Sequence, residues 1–172
     1  MTKTRSPASN VVAFEPGDLV VYPSHGVAKV VNIETQRVGA EELRVLVVSL
    51  EAERLTVRVP LHKVKTSGLR RLSSRKVMQS AFETMKGRAS KSRGMWSRRA
   101  LEYAAKIKSG DLVTIAEVVR DLHRKDDQPE RSYSERLIYE QALDRMTREV
   151  AAIEQLEFTA ATSKLEKLLK AA

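Results

Sequence analysis

From Phe14 to Pro60 apolar and polar residues alternate in short runs, and after Pro60 the apolar residues recur every three or four positions. The first period is that of half-buried strands and the second that of amphipathic helices. Asp18-Leu19-Val20-Val21-Tyr22 reads as a strand that ends at Pro23-Ser24-His25-Gly26, a turn by composition. Val27 to Ile33 is a second strand. Gln36 to Glu42, with Gly39 and several charges, reads as a loop. Leu43 to Leu50 is a third strand, Glu51 to Arg54 a turn, and Leu55 to Val59 a fourth strand stopped by Pro60. Four short strands with tight connections predict a small antiparallel half-barrel of the SH3-like or Tudor-like kind.

The helical half begins with a cap at Ser73 or Ser74 and a helix to about Lys86, carrying Val77, Ala81 and Met85 on one stripe. Gly87 to Gly94 is a basic loop containing Gly and Ser. A second helix runs from about Met95 to Lys108 and stops at Ser109-Gly110. Asp111 can cap a third, with Leu112, Ile115, Val118, Val119 and Leu122 as its apolar stripe. Ser132-Tyr133-Ser134-Glu135 has the form of a capping box for a fourth, striped by Tyr139, Ala142, Met146, Val150 and Ile153. Thr159 can cap a short last helix carrying Leu165, Leu168 and Leu169. The expected class is therefore α+β: a β module over residues 13–65, then an all-α bundle of about five helices over 66–172. Residues 1–12 read as a flexible tail.

Charge separates the halves by function. Residues 1–60 carry seven Lys/Arg and seven Asp/Glu, whereas residues 61–99 carry twelve basic residues and one acid, Glu83. The last stretch, 100–172, has twelve basic and fourteen acidic residues. The net charge of +9 thus originates in fewer than 40 residues. A solubility charge would be spread along the chain, and a concentrated one reads as a footprint for a polyanion. A solvated face is the plain alternative, but Val77, Phe82 and Met85 interleave with the charges. There is no cysteine, which excludes disulfides and thiolate zinc sites. The opening MTKTRSPASN lacks an apolar core, and no run approaches the roughly 20 apolar residues that span a bilayer. A cytoplasmic, nucleoid-associated protein is expected.

Enzyme signatures fail. His25, His62 and His123 fall in a turn, at a strand exit and on a helix, without metal-ligand spacing. No phosphate-binding or nucleophile motif is present, and no catalytic residue, metal or cofactor is expected. Two other features carry chemistry. Trp96 is the only tryptophan, in Lys91-Ser92-Arg93-Gly94-Met95-Trp96-Ser97-Arg98-Arg99. On a helix, Arg98 and Arg99 lie one turn from Met95 and Trp96. Core packing is the default for a lone tryptophan, but an apolar wedge flanked by cations also suits insertion at a base step. In Leu55-Thr56-Val57-Arg58-Val59-Pro60, strand alternation puts Thr56 and Arg58 opposite Leu55, Val57 and Val59. Such an edge can accept a partner's strand, although an ordinary solvated arginine is the simpler reading.

Together these pieces resemble the CarD/CdnL family of bacterial RNA polymerase-binding regulators, and the first module is also similar to the polymerase-interacting domain of the transcription-repair coupling factor. The matching residues are Phe14 to Pro23, His25-Gly26, Ile33-Glu34-Thr35, Leu55 to Pro60, Trp96 to Arg99, Ser109-Gly110-Asp111 and Ala116 to Leu122. The resemblance implies a Tudor-like domain on the polymerase β subunit and a helical domain at the upstream edge of the promoter bubble. There the family's tryptophan, here Trp96, wedges into the minor groove of double-stranded DNA. The family's polymerase-contacting arginine falls on Arg58, with Thr56, Val57, Pro60 and Arg37 around it. Lys91, Arg93, Arg98 and Arg99 flank the wedge. Two positions depart from the family: Gln36, followed by Arg37, where an arginine can follow the Ile-Glu-Thr segment, and Leu101, where a base can follow the tryptophan by one turn. The expected protein is a monomeric regulator that stabilises the open promoter complex. A polymerase-independent architectural DNA-binding protein, or an adaptor for an acidic protein, are the other readings the residues allow.

Overall fold

The computed structural model describes residues 14–90, 94–125 and 127–171. The expected tail and the candidate contacts Lys91 and Arg93 fall outside them. Five antiparallel strands form one sheet: β1 (Leu19–Tyr22), β2 (Gly26–Val38), β3 (Glu41–Leu50), β4 (Leu55–Pro60) and β5 (Arg70–Arg71), in the order β4-β3-β2-β1-β5. β3 lies inside the sheet. Its Val45-Leu46-Val47-Val48 run is buried at every position, the pattern of a strand covered on both faces. The barrel core gathers Val20, Val30, Leu46, Val48, Leu50 and Val59 around Phe14.

The sheet departs from the expected one in two places. Gln36 to Glu42 is not a loop: β2 runs to Val38, β3 starts at Glu41, and Arg37 pairs with Glu42. The turn is Gly39-Ala40, with Gly39 at φ +65°. Charged residues fit an exposed two-stranded ribbon, where ladder hydrogen bonds hold the backbone and no buried face imposes alternation. The second departure is β5, which pairs Arg71 with Val20 and Arg70 with Val21. It extends the sheet past residue 65.

A short helix, α1 (Val64–Ser67), ends at Gly68 in the left-handed region and leads to β5. Five longer helices follow: α2 (Arg75–Lys86), α3 (Trp96–Lys108), α4 (Leu112–Leu122), α5 (Tyr133–Glu154) and α6 (Phe158–Lys170). Ser74 caps α2 by accepting from the Val77 N–H. Asp111 caps α4 through Thr114, and Ser132 caps α5 through the Glu135 N–H. The Glu135 carboxylate turns instead to Arg124, so the capping box is half made. Thr159 is not a cap, because α6 begins one residue before it, after Glu157. The apolar stripe of α4 is buried throughout, between α2, α3 and α5. On α2 the buried stripe is Met78, Ala81, Phe82 and Met85, and Val77 sits at its margin.

The β1–β2 turn docks on the helices. Arg145 on α5 donates to the carbonyls of Pro23 and Ser24 at 3.2 and 2.6 Å. Gly110 lies so close beneath that a Cβ there would stand 2.6 Å from Pro23 Cα. Arg70 reaches from β5 to the Gly110 carbonyl at 2.6 Å and to the buried Glu149 carboxylate at 2.7 Å, which also accepts from Ser73. Sheet and bundle therefore meet through hydrogen-bonded contacts at a close backbone approach.

Candidate partner edge and nucleic-acid interface

β4 has a neighbour on one side only, so its outer backbone edge is free in the sheet. Val59 is buried, Val57 packs against the barrel core, and Thr56 and Arg58 are exposed. From Thr56 to Val59 this is the alternation the sequence implies, while Leu55 at the start of the strand is exposed. The Arg58 guanidinium lies 3.7 Å from Glu34 of β2, both groups roughly half in water. Such an exposed pair contributes about 0–1 kcal/mol and opens easily for another acid. Pro60 ends the strand and removes one donor from the edge. Register separates the two arginines. Arg58 pairs with Val47 and Glu34 with Val45, whereas Arg37 pairs with Glu42, so Arg37 belongs to the opposite face. The residue that shares Arg58's face is Gln36, which pairs with Leu43.

At the far side of the helical domain Trp96 opens α3, after an exposed Met95 at the cap position. Its ring is half-buried against the bundle core. Tyr103, two turns on, is buried with its ring 6.3 Å away. Arg99 lies against both rings, its guanidinium carbon 5.6 Å from the Trp96 centroid and 5.8 Å from that of Tyr103. Among the described residues the Arg99 Nε is buried without a hydrogen-bond partner, while a terminal nitrogen lies 3.4 Å from the Tyr103 hydroxyl. Arg98 points to water beside Glu102. Trp96 is therefore neither a fully buried core residue nor a fully exposed one. One part of the indole packs inward, and the rest stays on the surface beside cations.

The indole N–H donates to Ser134 Oγ of α5 at 3.2 Å. That contact places the first turn of α5, which follows the α4–α5 loop, against Trp96. The loop holds a hollow of about 310 Å³ lined by Arg124, Lys125, Arg131 and Arg136 with Gln128 and Glu130. Arg124 pairs with Glu135. Arg131 lies 3.8 Å over the Tyr139 ring and donates to the Leu122 carbonyl, and burial lowers its pKa below the usual arginine value. Lys125 and Arg136 are exposed and make no ion pair among the described residues. Segment charge pointed away from this region, because residues 100–172 are acidic in sum. It overstated the other side, where Arg70 and Arg71 answer Glu149 and Asp18.

Ser90, ahead of α3, is held by a buried carboxylate. Buried Asp121 accepts from the Ser90 N–H and from Arg120, both at 2.9 Å. His25 lies 2.8 Å from Glu53 and stacks on Tyr22, and His123 lies 3.1 Å from the Tyr139 hydroxyl. Among the described residues no helix is long and apolar enough to cross a membrane.

The protein is thus a Tudor-like sheet with a free edge joined to a helical bundle that carries a tryptophan among cations. Residues 14–73 match the family model described as the CarD-like/TRCF RID domain, and residues 80–166 match that described as CarD, C-terminal domain. The chain belongs to the CarD family, a family of transcription-associated regulators. A relative in Bacillus subtilis (strain 168), which carries the name "Putative transcription factor YdeB", is 27% identical over 140 residues, covering 81% of this chain and 92% of that protein. These matches are to domains of transcription-factor type and not to enzymes. The RID match implies interaction with RNA polymerase.

Proposed function

We propose that the chain grips the β subunit of RNA polymerase through the β4 edge and holds Trp96 at the upstream edge of the promoter bubble, stabilising the open complex. The observation that carries this reading is the pairing of two unlike surfaces in one docked molecule. One is a free strand edge with an exposed Arg58. The other is a half-exposed tryptophan among cations. An added strand would bond to the β4 backbone, with Arg58 exchanging Glu34 for an acid of the partner. Thr56 and Pro60 would border that contact.

Tethering raises the local concentration of the bundle near promoter DNA, so weak intrinsic DNA affinity is enough. Arg98, Lys125 and Arg136 meet phosphates without reading sequence. The apolar part of Trp96 enters a widened or unstacked step more readily than closed duplex. Only this difference between the two promoter states moves their equilibrium. A difference of about 1.4 kcal/mol shifts it about tenfold.

The test is the lifetime of open promoter complexes with the Trp96→Ala chain. A several-fold shorter lifetime, with capture of polymerase unchanged, is expected. An unchanged lifetime would remove the wedge from the mechanism.

A further inference from the structure

We propose that Ser134 is a positioning residue for Trp96: by accepting the indole N–H it fixes the ring and occupies its only polar atom. The proposal rests on the wedge reading above and adds a residue that comes from another helix, 38 positions along the chain.

Tryptophan has one hydrogen-bonding group, a donor at Nε1. Here that donor is directed at the first turn of α5, at 3.2 Å from Ser134 Oγ. The face of the ring is held separately, by Arg99 lying over it at 5.6 Å and by Tyr103 beyond. Two constraints in different directions select one orientation of the ring about its side-chain bonds, since stacking alone also permits the flipped ring. In that orientation the indole offers a ligand only carbon. A hydrogen bond from Nε1 to a base acceptor in the minor groove would require leaving Ser134. The fixed ring can therefore act as an apolar wedge at any base step, without preference for an acceptor. Ser134 is free for this role: it lies in the first turn of α5, and the cap of that helix is Ser132. Holding the ring in advance also reduces the ordering cost of binding.

The chain has one tryptophan, so its intrinsic fluorescence reports on this ring alone. The full-length protein, Ser134→Ala and Ser134→Thr would be compared by tryptophan fluorescence anisotropy and by open promoter complex lifetime on polymerase. Ser134→Ala should lower the anisotropy and shorten the lifetime by about threefold to tenfold, the range of one lost neutral hydrogen bond. Ser134→Thr, which keeps the hydroxyl, should restore both. Thermal unfolding should be nearly unchanged, because Ser134 is exposed. If Ser134→Ala matches the wild type in either readout, the proposal is overturned. Failure of the wedge itself is recognised separately: Trp96→Ala would then leave the lifetime unchanged, and the positioning role would fall with it.

Discussion

The Arg145 guanidinium donates a 2.6 Å hydrogen bond to the Ser24 carbonyl, joining the middle of α5 to the turn between β1 and β2. Beside it the Pro23 backbone rests on Gly110, in the turn between α3 and α4. α5 therefore contributes twice to the geometry of the protein. Its first turn holds Trp96 through Ser134, and its central part holds the β module. Burial lowers the pKa of Arg145 from the usual arginine value, but the group remains cationic near neutral pH because that value starts so high.

Gly110 gives a sharp measure of this junction. A Cβ at Gly110 would stand 2.6 Å from Pro23 Cα, at a φ of +70°, whereas one at Gly39 would meet nothing within 4 Å, at a φ of +65°. Alanine at either site carries the left-handed strain of about 1–2 kcal/mol. Only Gly110→Ala also drives backbone against backbone, at a further cost of about 1–3 kcal/mol. Denaturant unfolding should show the larger loss for Gly110→Ala. Equal losses would mean that the turn does not rest on Gly110 in solution.

Arg58→Glu should prevent the full-length chain from retaining RNA polymerase while changing stability by less than about 1 kcal/mol. The second half follows from geometry, since the side chain is half in water and its pair with Glu34 spans 3.7 Å. The first follows from placing a like charge wherever a partner acid was met. Pull-down beside thermal unfolding checks both. Retained capture by a folded Arg58→Glu protein would favour the polymerase-independent architectural reading.

Much of this arrangement is visible in the residue pattern because strands and helices bury one face each. The stripe from Leu112 to Leu122 and the alternation from Leu55 to Pro60 required nothing beyond period. The ribbon from Gln36 to Glu42 escaped because both its faces are wet, so it has no alternation to read. β5 escaped because two arginines become a strand only by pairing with β1. At the candidate site, Trp96 and Arg99 are three residues apart on a helix, and their stacking follows from that spacing. Ser134 is 38 residues from Trp96, and no local rule joins them. The cations of the α4–α5 loop and the first turn of α5 were hidden by summing: in sequence Asp126, Asp127, Glu130 and Glu135 balance Arg124, Lys125, Arg131 and Arg136.

That loop leads to a prediction about salt. Arg124 and Arg131 are held by Glu135 and by Tyr139 with the Leu122 carbonyl, which leaves Lys125 and, in the first turns of α5, Arg136 as the exposed cations of the hollow among the described residues. If both meet phosphate, Lys125→Gln with Arg136→Gln removes about two counterion-releasing contacts. The slope of log affinity against log salt for duplex DNA then becomes shallower by about 2. The weakening should be similar for unrelated sequences, because phosphate contacts position the protein and do not specify the site. Stability should change little, since neither side chain is buried. Titrating the double variant and the wild type with labelled duplex at several salt concentrations measures this. An unchanged slope would confine the DNA contact to the α3 side of Trp96.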